Sequence, residues 1–381
     1  MAVGIAARLD ALSVRDFRNL ERLELELPPA GMLIVGENGQ GKTNLLEAIY
    51  YLQVLRSMRG ARDQDLVRFG APGFHVGAQI AGDRASEIGI GFDKSGKRKR
   101  VRLDGVVSER LSDAVGALPV AMFSPADVDL VAGGPATRRR FLDIMLAVTS
   151  RGYLRALQQY RAALVRRNAA LRDAARRSAA RAEERVAVWE APLAEHGAVL
   201  WAEREAWVES VAEQFTALAR DIGGDELALR YASWARVSAA RSDRQRDLAH
   251  ALEHHRATDI RFGLTRAGPH RDDLLITIRG ADAAARDLRV FGSAGQQRTA
   301  AIALRLLEAS RLQERRGGPP IVLLDDPFAE LDVPRTQRIV RLLSETGLGQ
   351  TILAVPRESD VPGGMPHLQR FRIMNGVLAR D

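Results

Sequence analysis

Gly36-Glu37-Asn38-Gly39-Gln40-Gly41-Lys42-Thr43 lies between an apolar run, Met32-Leu33-Ile34-Val35, and a stretch in which Leu45, Leu46, Ile49 and Leu52 recur at helical spacing. The octapeptide fits G-x-x-x-x-G-K-[ST] with a strand before it and a helix after it, the setting the motif requires. Its glycines let the backbone curl until N–H groups face inward. The helix start adds a favourable dipole and Lys42 a mobile charge, so Gly36 through Asn44 are expected to cradle the phosphates of a nucleotide. Thr43 is expected to bind Mg²⁺ through its hydroxyl. Lys42, Lys94, Lys97 and Lys99 are the only lysines among 56 basic residues. A GC-rich genome accounts for the arginines, yet Lys42 stands where the motif demands lysine.

Outward from this loop, residues 9–35 alternate as strands, and residues 75–107 return to short strands with Asp104-Gly105 as a hairpin turn. From about 136 to 222 the chain is rich in Ala, Arg, Glu and Leu and reads as helical, with one helix from Tyr153 to about Glu184 expected to run about 48 Å. Strands are predicted at 274–279, 286–291, 321–324 and 350–355, helices at 296–315 and 334–346. Asn375-Gly376 then marks a closing hairpin.

Two further segments carry chemistry. Ile321-Val322-Leu323-Leu324-Asp325-Asp326 is an apolar strand ending in two carboxylates. Asp325 is placed to hold Mg²⁺ and Asp326, one residue on, to act as a base or orient water. Gly292-Ser293-Ala294-Gly295-Gln296-Gln297-Arg298 precedes an apolar helix and forms a second anion-binding terminus. One protomer already has a phosphate cradle, so this second one suits the γ-phosphate held by another subunit. Ser293 as a plain helix N-cap is the alternative. Ala329-Glu330-Leu331-Asp332 adds a short acidic turn.

Composition sets the frame. A chain of 381 residues with 46% hydrophobic content can bury a substantial core. It has no apolar run long enough to span a bilayer and its first residues lack a secretory core, so a soluble, cytoplasmic protein is expected, with no membrane partner. The absence of cysteine excludes disulfides and thiolate zinc sites. A net charge of +8 and a pI near 10.3 favour a polyanionic partner.

The four elements in this order resemble the ABC ATPase head, and the details resemble the RecF family. The matching segments are Asp16–Leu20, Asn44–Ile49, Phe123–Asp127, Arg138–Asp143, Gly268–Asp273, Ser293–Arg298 and Leu324–Asp332. The resemblance implies an α/β fold, an ABC-type P-loop ATPase head with an inserted α-helical lobe: residues 1–125 and 262–381 as the ATP-binding lobe, 126–261 as the helical lobe or arm. It implies ATP and Mg²⁺ as cofactors, weak ATPase activity and an ATP-dependent homodimer. It further implies binding to double-stranded DNA at gaps or junctions, and partnership with RecR and RecO, and indirectly RecA, in recombinational repair and the SOS response. Lys42, Asp325, Asp326, Ser293 and Gln296 are then catalytic, and Ser293, Gly295, Gln296 and Asp332 reach the partner's nucleotide. Where such ATPases place a polar switch residue, this chain has Ala354-Val355-Pro356-Arg357.

A transporter nucleotide-binding subunit and an ATP-binding interaction module that does not hydrolyse are the rival readings. DNA contact is expected along the Arg-rich helix, at Arg166, Arg167, Arg176 and Arg177, with Lys97-Arg98-Lys99-Arg100 as a second candidate. His270 beside Asp272 and Asp273 is read as an ion-paired turn rather than a metal site, because adjacent side chains of an extended segment point apart.

Overall fold

The structure, a computed structural model, describes residues 7–82, 85–176, 182–234, 241–279, 284–329, 331–345, 347, 349–363, 365 and 368–381. Strands β1 (Arg8–Phe17), β2 (Leu20–Glu26) and β3 (Gly31–Val35) lead into helix α1 (Lys42–Val54). A single turn, α2 (Asp63–Leu66), precedes β4 (Gly73–Ala81), β5 (Glu87–Asp93), β6 (Arg98–Leu103), β7 (Val106–Val107) and β8 (Val120–Phe123). Next come α3 (Asp129–Ala132), α4 (Pro135–Thr149), α5 (Arg151–Arg176), α6 (Ala182–Ala187) and α7 (Glu190–Gly223). They are followed by β9 (Leu227–Ala232), α8 (Arg241–Phe262), β10 (Asp273–Arg279), β11 (Ala285–Asp287) and α9 (Leu288–Phe291). The last elements are α10 (Ala294–Arg316), β12 (Ile321–Asp325), α11 (Val333–Glu345), β13 (Thr351–Val355), β14 (Gln369–Met374) and β15 (Val377–Arg380).

Two compact units result. The first holds the chain up to Val128, Ala219–Asp225 and Ala294–Asp381; the second holds Asp129–Leu218 and Glu226–Ser293. In the first unit, one sheet runs β2-β1-β4-β5-β6-β7 and is antiparallel throughout. The other runs β15-β14-β3-β13-β12-β8, parallel except for the β14–β15 hairpin. β3, β8, β12 and β13 are buried along their whole length, as their continuous apolar runs require for strands covered on both faces. α1 contacts strands of both sheets and is buried almost all round, so its sequence shows little amphipathic contrast. Phe17, Tyr51 and Phe74 meet edge to face beside it, with centroids 5.2–5.9 Å apart. Each such side chain contributes about 1.5–3 kcal/mol by burial.

The second unit departs from the sequence reading in extent. It continues to Ser293, past the Arg261 limit expected, because β9 pairs with β10 and β10 with β11 into a three-stranded sheet counted with the helices. The strand predicted at 286–291 ends at Asp287. There Asp287 Oδ1 accepts from Arg289 N at 2.9 Å, an N-cap that turns the chain into α9. α5 is described over 26 residues, about 39 Å, and residues 177–181 of the helix expected from Tyr153 to about Glu184 lie outside the described residues.

Candidate nucleotide site

Gly39 and Gly41 take φ of 82° and 115°, a left-handed backbone that L side chains rarely adopt. Gly36 is required for space: a Cβ there would lie 2.5 Å from the Ile373 carbonyl oxygen. The loop thus curls tightly before α1, whose first-turn N–H groups have no intrahelical carbonyl to bond. Lys42 Nζ reaches back over the loop to Gly36 O at 2.5 Å and Glu37 O at 2.9 Å. An incoming phosphate would meet this ammonium in position. Burial pulls the Lys42 ammonium below its usual pKa, and the charges of Asp325 and Asp326 offset that pull.

Thr43 Oγ1 donates to Asp325 Oδ1 at 3.1 Å, across 282 residues of sequence. A hydroxyl and a carboxylate this close are the hard oxygen donors that Mg²⁺ accepts alongside water and phosphate oxygens, so the residues fit that ion. Burial holds the Asp325 carboxyl above the usual carboxylate range, against the Thr43 bond and the charges of Arg59 and Lys42. Asp326 sits at φ 48°, its N–H tied to Ala354 O at 2.8 Å, so the backbone turns just as β12 ends. Burial and then the charge of Asp360 raise its carboxyl pKa, against Lys42 and Arg298. Asp360, three residues past Arg357, is therefore the charged group beside Asp326 in the region where the sequence showed no switch residue.

At the other motif, Ser293 precedes α10. Gln296 Nε2 donates to Asp225 Oδ1 at 3.1 Å. Gly295 leaves room for Arg335: a Cβ there would lie 2.7 Å from its Nη1. Asp332 Oδ1 accepts from Arg335 N at 2.8 Å and so caps α11. Glu330 lies outside the described residues.

Sequence reasoning missed the frame behind the loop. Asn19, inside the Asp16–Leu20 match, donates to Gln40 O at 3.3 Å and accepts from Asn44 Nδ2 at 2.8 Å. Gln40 in turn is gripped by the β14–β15 hairpin: its Oε1 accepts from Asn375 N at 2.6 Å, its carbonyl from Gly376 N at 2.8 Å. Arg18, at φ 58°, donates to the buried Glu47 of α1 at 3.0 Å. Arg298 donates to Ala329 O, tying α10 to the turn after β12. The signals in the sequence were the Asn375-Gly376 hairpin pair and Asp16, Arg18 and Asn19 within the Asp16–Leu20 match.

A buried ion-paired cluster anchors α10. Arg305 contacts Asp127 Oδ1 and Glu308 Oε2, each at 2.6 Å, and Asp127 Oδ2 accepts from Ser124 N at 2.7 Å. Asp127, the last residue of the Phe123–Asp127 match, thus faces α10 and has a packing role. Asp127→Asn should lower stability by about 2 kcal/mol, since a charged hydrogen bond is removed while Glu308 still balances Arg305. Urea unfolding followed by circular dichroism measures it, and an unchanged midpoint would remove the cluster from the stabilising contacts.

The DNA candidates separate. Arg166 is exposed and its guanidinium lies over Trp189, 5.3 Å from the ring centroid; Arg176 is exposed at the end of α5; Arg177 lies outside the described residues. Arg167 cannot serve. Its side chain is fully buried and bonded to Asp259 at 2.7 Å, Thr265 Oγ1 at 2.9 Å and Glu190 at 3.1 Å, because helical periodicity turns this position inward. In the second candidate, Lys99 is also committed, to Leu55 O and Asp63 at 2.7 Å each, leaving Arg98 and Arg100 exposed.

Comparisons with known proteins place this geometry. The family model for the RecF/RecN/SMC N terminal domain matches residues 8–361. The DNA replication and repair protein RecF of Chloroflexus aggregans is 37% identical over 397 residues, covering 96% of this chain and 98% of the relative. That of Anaeromyxobacter sp. (strain K) is 36% identical, covering 98% and 99%. A solved structure of the recombination mediator protein RecF with ATP, of the RecFOR pathway, aligns with TM-score 0.88 at 29% identity, covering 100% of this chain and 99% of that one. The Smc head domain of Pyrococcus furiosus, at 16% identity and TM-score 0.53 over 98% and 95%, shares the fold.

Proposed function

This chain belongs to the RecF family of DNA replication and repair proteins, and from that premise we propose that it is a cytoplasmic, ATP-dependent recombination mediator. ATP closes two copies into a dimer that holds duplex DNA at gaps or junctions. RecR and RecO are its partners, loading of RecA is the outcome, and slow hydrolysis resets the dimer. The observation that carries this reading is the meeting of Lys42, Thr43, Asp325 and Asp326 in one unit, with Thr43 Oγ1 3.1 Å from Asp325.

Each residue then has a task. The loop N–H groups and Lys42 bind the β- and γ-phosphates. Thr43 and Asp325 hold Mg²⁺, which supplies neutralising charge to the phosphates when bound. Asp326 orients the attacking water and serves as the base that takes its proton. Ser293, Gly295 and Gln296 cover the partner's γ-phosphate, with Asp332 holding the neighbouring turn. Among the described residues no helix is long and apolar enough to cross a membrane.

Sedimentation tests the proposal. The wild type should dimerise only with ATP–Mg²⁺ and then carry gapped duplex DNA down with it. Ser293→Arg should bind ATP yet remain monomeric. A wild type that stays monomeric with ATP and ignores DNA would sink the composite-site clamp.

A further inference from the structure

The second unit contains an open cleft of about 190 Å³, far more than the ~15 Å³ that one water needs. Arg139 and Arg140 of α4, Arg161 of α5, Arg204 of α7 and His270 of the Gly268–Asp273 turn line it. Four guanidiniums thus face one carboxylate, Asp143. That carboxylate is already shared: Oδ1 accepts from Arg204 at 2.7 Å and from the Tyr153 hydroxyl at 2.5 Å, and Oδ2 accepts from Arg161 at 2.9 Å.

The cations differ in burial and in their partners. Arg204 is buried and spends its remaining donors on Tyr153 Oη at 2.9 Å and Pro269 O at 2.7 Å, so it serves as a fixed charge in the floor. Arg139 is half-buried and gives one N–H to Asp272 O at 2.7 Å. Burial and the nearby Arg204 charge press its guanidinium below its usual pKa, against the charges of Asp273, Asp272 and Asp143. Arg140 and Arg161 form the exposed rim.

His270 is a neutral wall. Its Nε2 faces Thr265 O at 3.0 Å and must donate there, so Nδ1 accepts from the Tyr160 hydroxyl at 2.6 Å. Burial pushes its pKa down to about 4. Gly268, at φ 131°, permits this fit, since a Cβ would stand 2.5 Å from Tyr160 Oη. The turn read in sequence as ion-paired rather than metal-binding thus forms one side of an arginine cleft.

We propose that this cleft is a second phosphoryl-binding site, separate from the P-loop, which seats a phosphate group between Arg139, Arg140 and Arg161. The planar guanidinium fork matches phosphate oxygens two at a time, and the floor charge of Arg204 adds attraction without needing to move. The phosphate comes from a nucleic-acid backbone or from free phosphate. The first source rests on the DNA-binding reading given above, the second does not.

The test uses the full chain with saturating ATP–Mg²⁺, so that the P-loop is filled in every arm. One arm titrates a labelled duplex by anisotropy from about 50 to 200 mM salt. The other follows thermal stabilisation by inorganic phosphate. The variants are Arg140→Gln/Arg161→Gln on the rim and, should that pair fail to fold, Arg139→Gln, with Arg246→Gln, exposed on α8, as a control outside the cleft.

If the backbone is the source, the rim variant weakens duplex binding about 10-fold and flattens the salt slope by about 2, one unit for each phosphate no longer neutralised, while the control matches wild type. If free phosphate is the source, duplex binding is unchanged and the stabilisation by phosphate disappears in the variant. Loss of neither overturns the site. A wild type that binds no duplex but is stabilised by phosphate through these arginines would refute the DNA reading and leave the cleft standing.

Discussion

Lys42→Ala should leave a folded protein whose ATP affinity is roughly 100- to 1000-fold weaker, about 3–4 kcal/mol. The ammonium already lies over the loop, 2.5 and 2.9 Å from two carbonyls, so it needs no rearrangement to meet phosphate. Removing it deletes more than one charge-assisted hydrogen bond, each about 1.5–3 kcal/mol, and takes away a cation whose charge acts on both Asp325 and Asp326. The fold itself loses little, because the loop is held from behind by Asn19 and the β14–β15 hairpin. Lys42→Arg should fail nearly as badly, since a planar guanidinium cannot sit end-on between Gly36 O and Glu37 O. Titration with a fluorescent ATP analogue decides it: an affinity within threefold of wild type would take this lysine out of the phosphate site.

Arg167→Ala should cost about 3–5 kcal/mol of stability, confined to the second unit. Glu190 would keep Arg256, bonded at 2.7 and 3.0 Å, but Asp259 is fully buried and would lose the arginine it faces at 2.7 Å. A stranded carboxylate in that setting must either stay charged without a partner or take up a proton, and both weaken the fold. Trp189, Trp201, Trp207 and Trp234 are the chain's four tryptophans and all belong to the second unit, so their fluorescence follows that unit alone. A urea midpoint equal to wild type would mean the pair contributes nothing net. Arg166→Ala, one residue away on the exposed face, should stay within about 0.5 kcal/mol.

The adjacent pair shows where sequence reading stops. A run of arginines gives composition, and only the helical phase around Arg167 turns one of them into the buried centre of the unit while its neighbours face solvent. The nucleotide motifs were legible because their chemistry is local: glycines at fixed offsets, a lysine, and an apolar strand ending in two acids. The hold of Asn19 and Asn375 on the loop was not legible, since Asn19 reaches it from 21 residues away across two strands and Asn375 from 335 residues away through a backbone N–H that any residue carries. β9 and α8 were missed for a related reason. Leu227, Leu229 and Tyr231 alternate over too short a run to stand out from the helices around them, and α8 is polar along most of its length. The extent of the second unit followed from that omission, because β9 is what recruits β10 and β11 to it.

The grip of the β14–β15 hairpin on Gln40 also has a meaning in time. Gln40 and Asn375 are 335 residues apart, and a ribosome adding about 5–20 residues per second needs roughly 20–70 s to make that interval. Throughout it a nascent chain displays the glycine-rich motif without the hairpin that holds Gln40 in place. Until synthesis has passed Gly376, Gln40 lacks both of the hydrogen bonds that the hairpin gives it, and a message cut short upstream yields a chain that carries the motif without them.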